Sequence, residues 1–130
     1  MIGLDSKAII DFADGNKDLK RLLDKIKEPL AVNYISYFEI MLGIDWENEN
    51  YKFEEDFYDN FFSSLSTLAL DIPACKESSR IYWRLSKKGF EIGKIDCAIA
   101  GIYLSNGINK IITRNVKHFK RIKGVEVIGY

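Results

Sequence analysis

Three acidic side chains occupy positions at which an α/β chain gathers chemistry. Asp5 closes the apolar run Ile2-Gly3-Leu4, Glu39 follows the run from Leu30 to Ile35, and Asp96 opens the stretch Cys97 to Ala100. Brought within a few ångströms, three carboxylates repel one another and resist ionisation unless a cation stands between them. Oxygen donors without His or Cys favour Mg²⁺ or Mn²⁺ over zinc, and Mg²⁺ commonly keeps several waters and meets substrate phosphate through a few carboxylates. Such a site suits phosphodiester hydrolysis: the ion stabilises charge on the phosphoryl oxygens and activates a water, and a second ion, where one binds, clamps the leaving oxygen. Asp5, Glu39 and Asp96 are the expected metal ligands.

Each acid also has an architectural reading. Ser36-Tyr37-Phe38-Glu39 has the form of a capping box, with Ser36 as the helix cap and Glu39 reaching back to its amide. Asp96 stands where an N-cap belongs, and Asp5 is placed to cap a short helix from Lys7 to Ala13. Caps explain the acids one at a time. Their convergence needs the fold.

Five short apolar runs read as strands: Ile2 to Asp5, Leu30 to Ile35, Leu68 to Leu70, Lys110 to Thr113 and Val125 to Ile128. Helical patterns lie between them. Leu19, Leu22, Leu23 and Ile26 recur at helical spacing after Asn16, and Phe53, Phe57, Tyr58, Phe61, Phe62 and Leu65 form a broad aromatic stripe. Further helices are expected from Cys75 to Lys88 and from Asp96 to Asn106, with Gly89 and Gly107 as their stops. Strands alternating with helices predict a three-layer α/β/α fold around a mostly parallel sheet of about five strands. In that topology ligands bind at the carboxyl ends of the strands, so all three acids should meet at one edge.

A chain of 130 residues, 47% hydrophobic and 13% aromatic, is expected to form a single domain over residues 1 to 130 with a core that needs no metal or disulfide. Cys75 and Cys97 form no C-x-x-C pair and are expected to be small core residues. The N-terminus lacks the form of a signal peptide, and no stretch approaches 18 uninterrupted apolar residues, so a soluble cytoplasmic protein without a membrane span is expected. Nineteen basic and nineteen acidic side chains cancel overall. Residues 1 to 75 nevertheless carry a net −8 and residues 76 to 130 a net +8, an asymmetry that favours a polyanionic partner for the C-terminal part or else an unevenly charged solvated surface.

Four motifs in this order resemble the PIN domains of VapC-type toxins: Leu4-Asp5-Ser6-Lys7-Ala8, Ser36-x-x-Glu39 with Gly43, Ile95-Asp96-Cys97-Ala98-Ile99-Ala100, and Ile112-Thr113-Arg114-Asn115-x-x-His118-Phe119. The likeness runs from Ile2 to Ile128. It implies a PIN-like fold and a Mg²⁺- or Mn²⁺-dependent endoribonuclease, homodimeric in many members and held inactive by a VapB-type antitoxin. It also implies that Asp5, Glu39 and Asp96 bind the metal, with Thr113 and Asn115 lining the pocket and Asn115 completing the catalytic set. Many PIN domains carry a fourth acid where this chain has Asn115, and an amide adds no charge to hold a second ion.

Thr113, Arg114 and Lys117 are candidate contacts to substrate phosphate, and Lys120, Arg121 and Lys123 extend the same basic track. His118, the only histidine, is a candidate general base by residue type, but an ion-activated water leaves it no necessary catalytic role. The aromatic stripe has the spacing of a packed face, either core or dimer interface, rather than of a base-stacking platform. Two other classes remain open: a catalytically weak PIN-like module that only binds RNA or protein, which Asn115 favours, and a phospho-accepting α/β domain, against which stands the absence of D-x-D at Asp5-Ser6-Lys7.

Overall fold

The computed structural model describes residues 1–130. Its elements are β1 (Ile2–Leu4), α1 (Ser6–Ala13), α2 (Lys17–Lys25), β2 (Leu30–Asn33), α3 (Tyr34–Leu42), α4 (Tyr51–Ser63), β3 (Ser66–Leu68), α5 (Ile72–Lys87), α6 (Lys94–Ser105), β4 (Lys110–Ile112), α7 (Val116–Phe119) and β5 (Glu126–Ile128). All five strands lie in one sheet in the order β3-β2-β1-β4-β5, and every pairing is parallel.

Alternation along the strands makes three layers. Successive strand side chains point to opposite faces, so Ala31 and Ile111 enter a core with Ile81, Leu85, Cys97, Ala100 and Tyr103 of α5 and α6. Val32, Ile112, Ile2 and Leu4 enter a second core with Ala8, Ile9, Leu19, Ile40 and Phe62 of α1 to α4. Gly3 faces the first core, where a Cβ would stand 2.6 Å from the Tyr103 ring, so only glycine admits that ring. No helix is long and apolar enough to cross a membrane.

The strand order reverses at β1, whose neighbours are β2 on one side and β4 on the other. Such a switch point leaves a crevice at the carboxyl ends of the two strands. Here those ends are Leu4 and Ile112, paired in register, so the residues that follow, Asp5 and Thr113, face each other across the crevice.

Several expected boundaries move. The third strand is Ser66–Leu68, two residues before the predicted run, because Asp71 accepts from Ala74 N–H at 3.1 Å and draws the chain after Leu68 into the start of α5. That helix therefore begins at Ile72 and places Pro73 in its first turn, where a missing N–H costs nothing. Cys75, expected in the core, is exposed, whereas Cys97 is buried. The aromatic stripe of α4 buries only Phe62; Phe61 and Tyr58 pack partly beneath it, and Phe53 is 79% exposed, since α4 covers the sheet with one end and overhangs with the other.

Candidate active site

Asp5 is the first residue beyond β1 and is 3% exposed. Its Oδ1 accepts from Ala8 N–H at 2.9 Å, so it does cap α1, while its Oδ2 accepts from the Thr113 hydroxyl at 2.5 Å. Thr113 is fully buried and also accepts from Asn115 N–H at 2.8 Å. It thus holds the acid and the turn after β4 rather than facing a substrate, a correction to its reading as a phosphate contact.

Glu39 lies in the second turn of α3, not the first, because that helix starts earlier than the capping-box reading has it. Its cap is Asn33, whose Oδ1 accepts from Ser36 N–H at 2.8 Å. Ser36 is buried one turn along and caps nothing. A buried asparagine at a strand end is a preferred cap in its own right, and here Asn33 also donates to the Tyr103 hydroxyl at 2.9 Å, which in turn donates to Leu4 O at 2.5 Å. This network under the sheet ties the ends of β1 and β2 and the start of α3 to α6. Glu39 is then oriented by Ser6, whose hydroxyl donates to Oε1 at 2.5 Å and stands 2.9 Å from Ser36 Oγ.

Asp96 sits in the first turn of α6, two residues inside the helix; Gly93 occupies the cap position that had been expected for Asp96. Its Oδ2 stands 3.5 Å from Asn115 Nδ2 and 3.6 Å from His118 Nδ1. Asp5, Ser6, Lys7, Ile10, Glu39, Asp96 and Asn115 line one cleft of about 370 Å³ at the switch point. The fold therefore brings all four residues of the expected catalytic set together. Arg114 is turned aside toward Asp11, with Nε 3.5 Å from Oδ2 of that residue, and Lys117 is exposed without an ion pair.

Electrostatics in the cleft are those of unanswered negative charge. Burial pushes the Asp5 carboxyl up to about 6; the bonds from Thr113 and Ala8 oppose that rise, and the charges of Asp96 and Asp11 add to it. Burial also raises Asp96, offset by the hydrogen bond and charge of His118 and reinforced by Glu39. No Lys or Arg forms an ion pair with Asp5, Glu39 or Asp96. The tightest group of acidic oxygens lies elsewhere, where Glu55, Asp56 and Asp59 come within 4.8 Å of one another on α4. There Lys52 pairs with two of them, at 3.6 and 3.0 Å, and Tyr37 donates to the third, so that charge is already met on an open surface. In the cleft the carboxylates stand farther apart, and each oxygen that accepts a single hydrogen bond keeps a second lone pair. An all-oxygen set with room for waters fits a hard divalent cation.

Ser6, Asn33 and Tyr103 were not picked out from sequence as parts of the site. The signals were an Asp-Ser pair at the end of a strand and an asparagine inside an otherwise apolar run; the hydroxyl of Tyr103, hidden within an apolar helix, gave none.

A PIN domain family model matches residues 2–125. The chain is 35% identical over 92 residues to Ribonuclease VapC1 of Rickettsia felis, which covers 69% of this chain and 68% of that protein. It is 33% identical over 69 residues to the tRNA(fMet)-specific endonuclease VapC of Salmonella typhimurium, a match spanning 53% of this chain and about half of that relative (52%). Among solved structures, VapBC-1 from nontypeable Haemophilus influenzae superposes with a TM-score of 0.84 at 25% identity, covering 99% of this chain and 98% of that one. VapBC2 from Rickettsia felis, bound to a DNA fragment from its promoter, superposes with a TM-score of 0.85 at 20% identity over 100% and 99% of the two chains, a likeness of fold.

Proposed function

The chain belongs to the PIN domain family, and from that membership we propose that it is the endoribonuclease toxin of a VapBC-type pair, acting on RNA in the cytoplasm as one domain. The carrying observation is that carboxylates from three separate segments, Asp5, Glu39 and Asp96, meet with Asn115 in one cleft at the switch point of the sheet. These residues are the ones to hold a divalent cation, Mg²⁺ or Mn²⁺. Bound there, the ion supplies Lewis acidity toward the scissile phosphate and lowers the pKa of water.

The remaining work belongs to the chain. Thr113 fixes Asp5 and Ser6 fixes Glu39, each through a 2.5 Å bond, so two of the ligands are oriented before any substrate arrives. Exposed Lys117 is placed to meet a phosphate flanking the cut. A VapB-like antitoxin fits as the inhibitor, since the solved relatives are VapBC assemblies. An arginine from such a partner would offer a bidentate match to the cleft carboxylates. Tyr34, Phe38 and Leu42 form an exposed apolar line on α3 beside Glu39, an apolar surface available to a protein partner, antitoxin or second protomer.

The test is cleavage of single-stranded RNA with and without divalent cation. Activity should need Mg²⁺ or Mn²⁺ and vanish in Asp5→Asn, Glu39→Gln and Asp96→Asn, with each variant folded by circular dichroism. A wild-type protein that binds RNA but neither cuts it nor takes up metal in calorimetry would instead support the binding-module reading that uncharged Asn115 favours.

A further inference from the structure

His118, the only histidine in the chain, does not line the cleft itself but turns Nδ1 toward two residues that do, Asp96 and Asn115. Nδ1 is 2.9 Å from Asn115 Nδ2 and 3.6 Å from Asp96 Oδ2, and Asn115 Nδ2 is itself 3.5 Å from that oxygen. The three atoms form a compact triangle. Adjacent ligands of an ion held at about 2.1 Å stand about 3.0–3.4 Å apart in octahedral or tetrahedral geometry, so the triangle has the size of one face of a coordination shell.

Asn115 completes it by a half-turn of its amide. Oxygen and nitrogen exchange places without changing the shape of the side chain, and the choice follows the partners present. With a cation rather than an imidazole as partner, Oδ1 takes the inner position. The frame beneath is fixed: Thr113 Oγ1 accepts from Asn115 N–H, and α7, only four residues long, carries His118 directly after it. The His118 side chain is 41% exposed and has room to adjust by the few tenths of an ångström required.

We propose that His118 is a metal ligand, forming with Asp96 and Asn115 a second cation position beside the one held by Asp5, Glu39 and Asp96. This rests on the cleft being a metal site at all. An imidazole nitrogen in place of a carboxylate alters which ion is preferred. Mg²⁺ demands oxygen donors and sheds water reluctantly, whereas first-row transition cations accept mixed nitrogen and oxygen sets. The second position therefore takes Mn²⁺ in preference to Mg²⁺, with the imidazole supplying a donor atom where a fourth acid is missing.

A single histidine makes the test unambiguous. Pulsed electron paramagnetic resonance on the Mn²⁺-loaded wild-type protein should show coupling to a coordinated imidazole nitrogen, with two Mn²⁺ per chain by calorimetry. His118→Gln should abolish the coupling and weaken the second Mn²⁺ by about tenfold or more. The tighter site and its Mg²⁺ affinity should hardly move. Bound Mn²⁺ without nitrogen coupling in the wild type, or an unchanged affinity for the second Mn²⁺ in His118→Gln, overturns His118 as a ligand while leaving the three-acid site standing. A wild-type protein that takes up no Mn²⁺ overturns both, and Asp5→Asn serves as the control for loss of the first ion.

Discussion

On one flank of the cleft, Asp5 and Glu39 are held by hydroxyls at 2.5 Å and backed by a buried network that reaches Tyr103; on the other, Asp96 meets Asn115 and His118 only at 3.5 and 3.6 Å. The first flank stands on strand ends and buried helix starts, where each polar atom must find a partner. The second stands on the first turn of α6 and the short α7, half open to water. One half of the cleft is arranged in advance. The other has slack that a ligand can take up. Removing a hydroxyl that holds the first flank should therefore cost folding as well as chemistry, and substitutions on the second flank chemistry alone.

Thr113→Val gives the largest separation. Valine keeps the volume but leaves Asp5 Oδ2 and Asn115 N–H without partners in a buried place, so unfolding should become easier by about 1–3 kcal/mol. Metal affinity or cleavage should fall by roughly 10–100-fold, as when a ligand loses its orienting bond. Asn115→Ala is the matching change on the open flank; its denaturation midpoint should stay close to that of wild type. Equal destabilisation by the two would erase the distinction between the flanks.

The ordered flank also stores a cost. The Asp5 carboxyl is pushed up to about 6 from an ordinary value of 3.8, chiefly by burial. A raised acid contributes stability that is fully present below 3.8 and is lost as pH rises through about 6. At pH 7.5 without metal, wild type should thus be less stable than Asp5→Asn, by roughly 1–3 kcal/mol for a shift of this size. At pH 4 and below the two should converge. Chemical denaturation in EDTA across pH 4 to 8 measures it, and a variant that is the less stable of the pair at pH 7.5 would show that Asp5 is needed chiefly as the cap of α1.

How far these features were legible in sequence follows the same division. The acids, the three layers and the parallel sheet could be read, because apolar runs and helical spacing report burial directly and each acid lies at the end of a run. Cap assignments went astray at Ser36 and Asp96 because local rules rank candidates by type, while the buried partner decides. Asn33 caps α3 since Tyr103, seventy residues away, occupies its other end. Cys75 misled for a related reason: composition says that a residue is apolar, not whether the sheet is wide enough to cover it. The Asp96–Asn115–His118 triangle joins α6 to α7, and no local pattern ties them together.

Charge at Asn115 probes the open flank with a smaller effect. Asn115→Asp adds an acid beside Asp96, which should raise at least one carboxylate pKa without metal and lower the Mn²⁺ dissociation constant several-fold. No rate gain is expected from tighter ground-state binding alone. Equal affinities in calorimetry would put position 115 beyond the reach of any ion and reduce the site to Asp5, Glu39 and Asp96.

The smallest effect separates two cations on the rim. Arg114 and Lys117 both follow β4, but Arg114 already lies 3.5 Å from the buried Asp11 carboxylate, which also accepts from the Tyr130 hydroxyl at 2.6 Å. A cation so paired has little charge left for phosphate, whereas Lys117 has no partner. Each phosphate neutralised releases counterions, and losing one such contact lowers the slope of log affinity against log salt by about 0.7–0.9. Lys117→Ala should therefore flatten the salt dependence of single-stranded RNA binding, measured by fluorescence anisotropy in EDTA so that the strand stays intact. Arg114→Ala should change it by less than half as much. If Arg114→Ala flattens the slope equally, the pair with Asp11 opens when RNA binds, and this side of the cleft is more mobile than the flank that carries Asp5. If neither variant alters the slope, the strand leaves the cleft on the side of Lys94 and α6 instead.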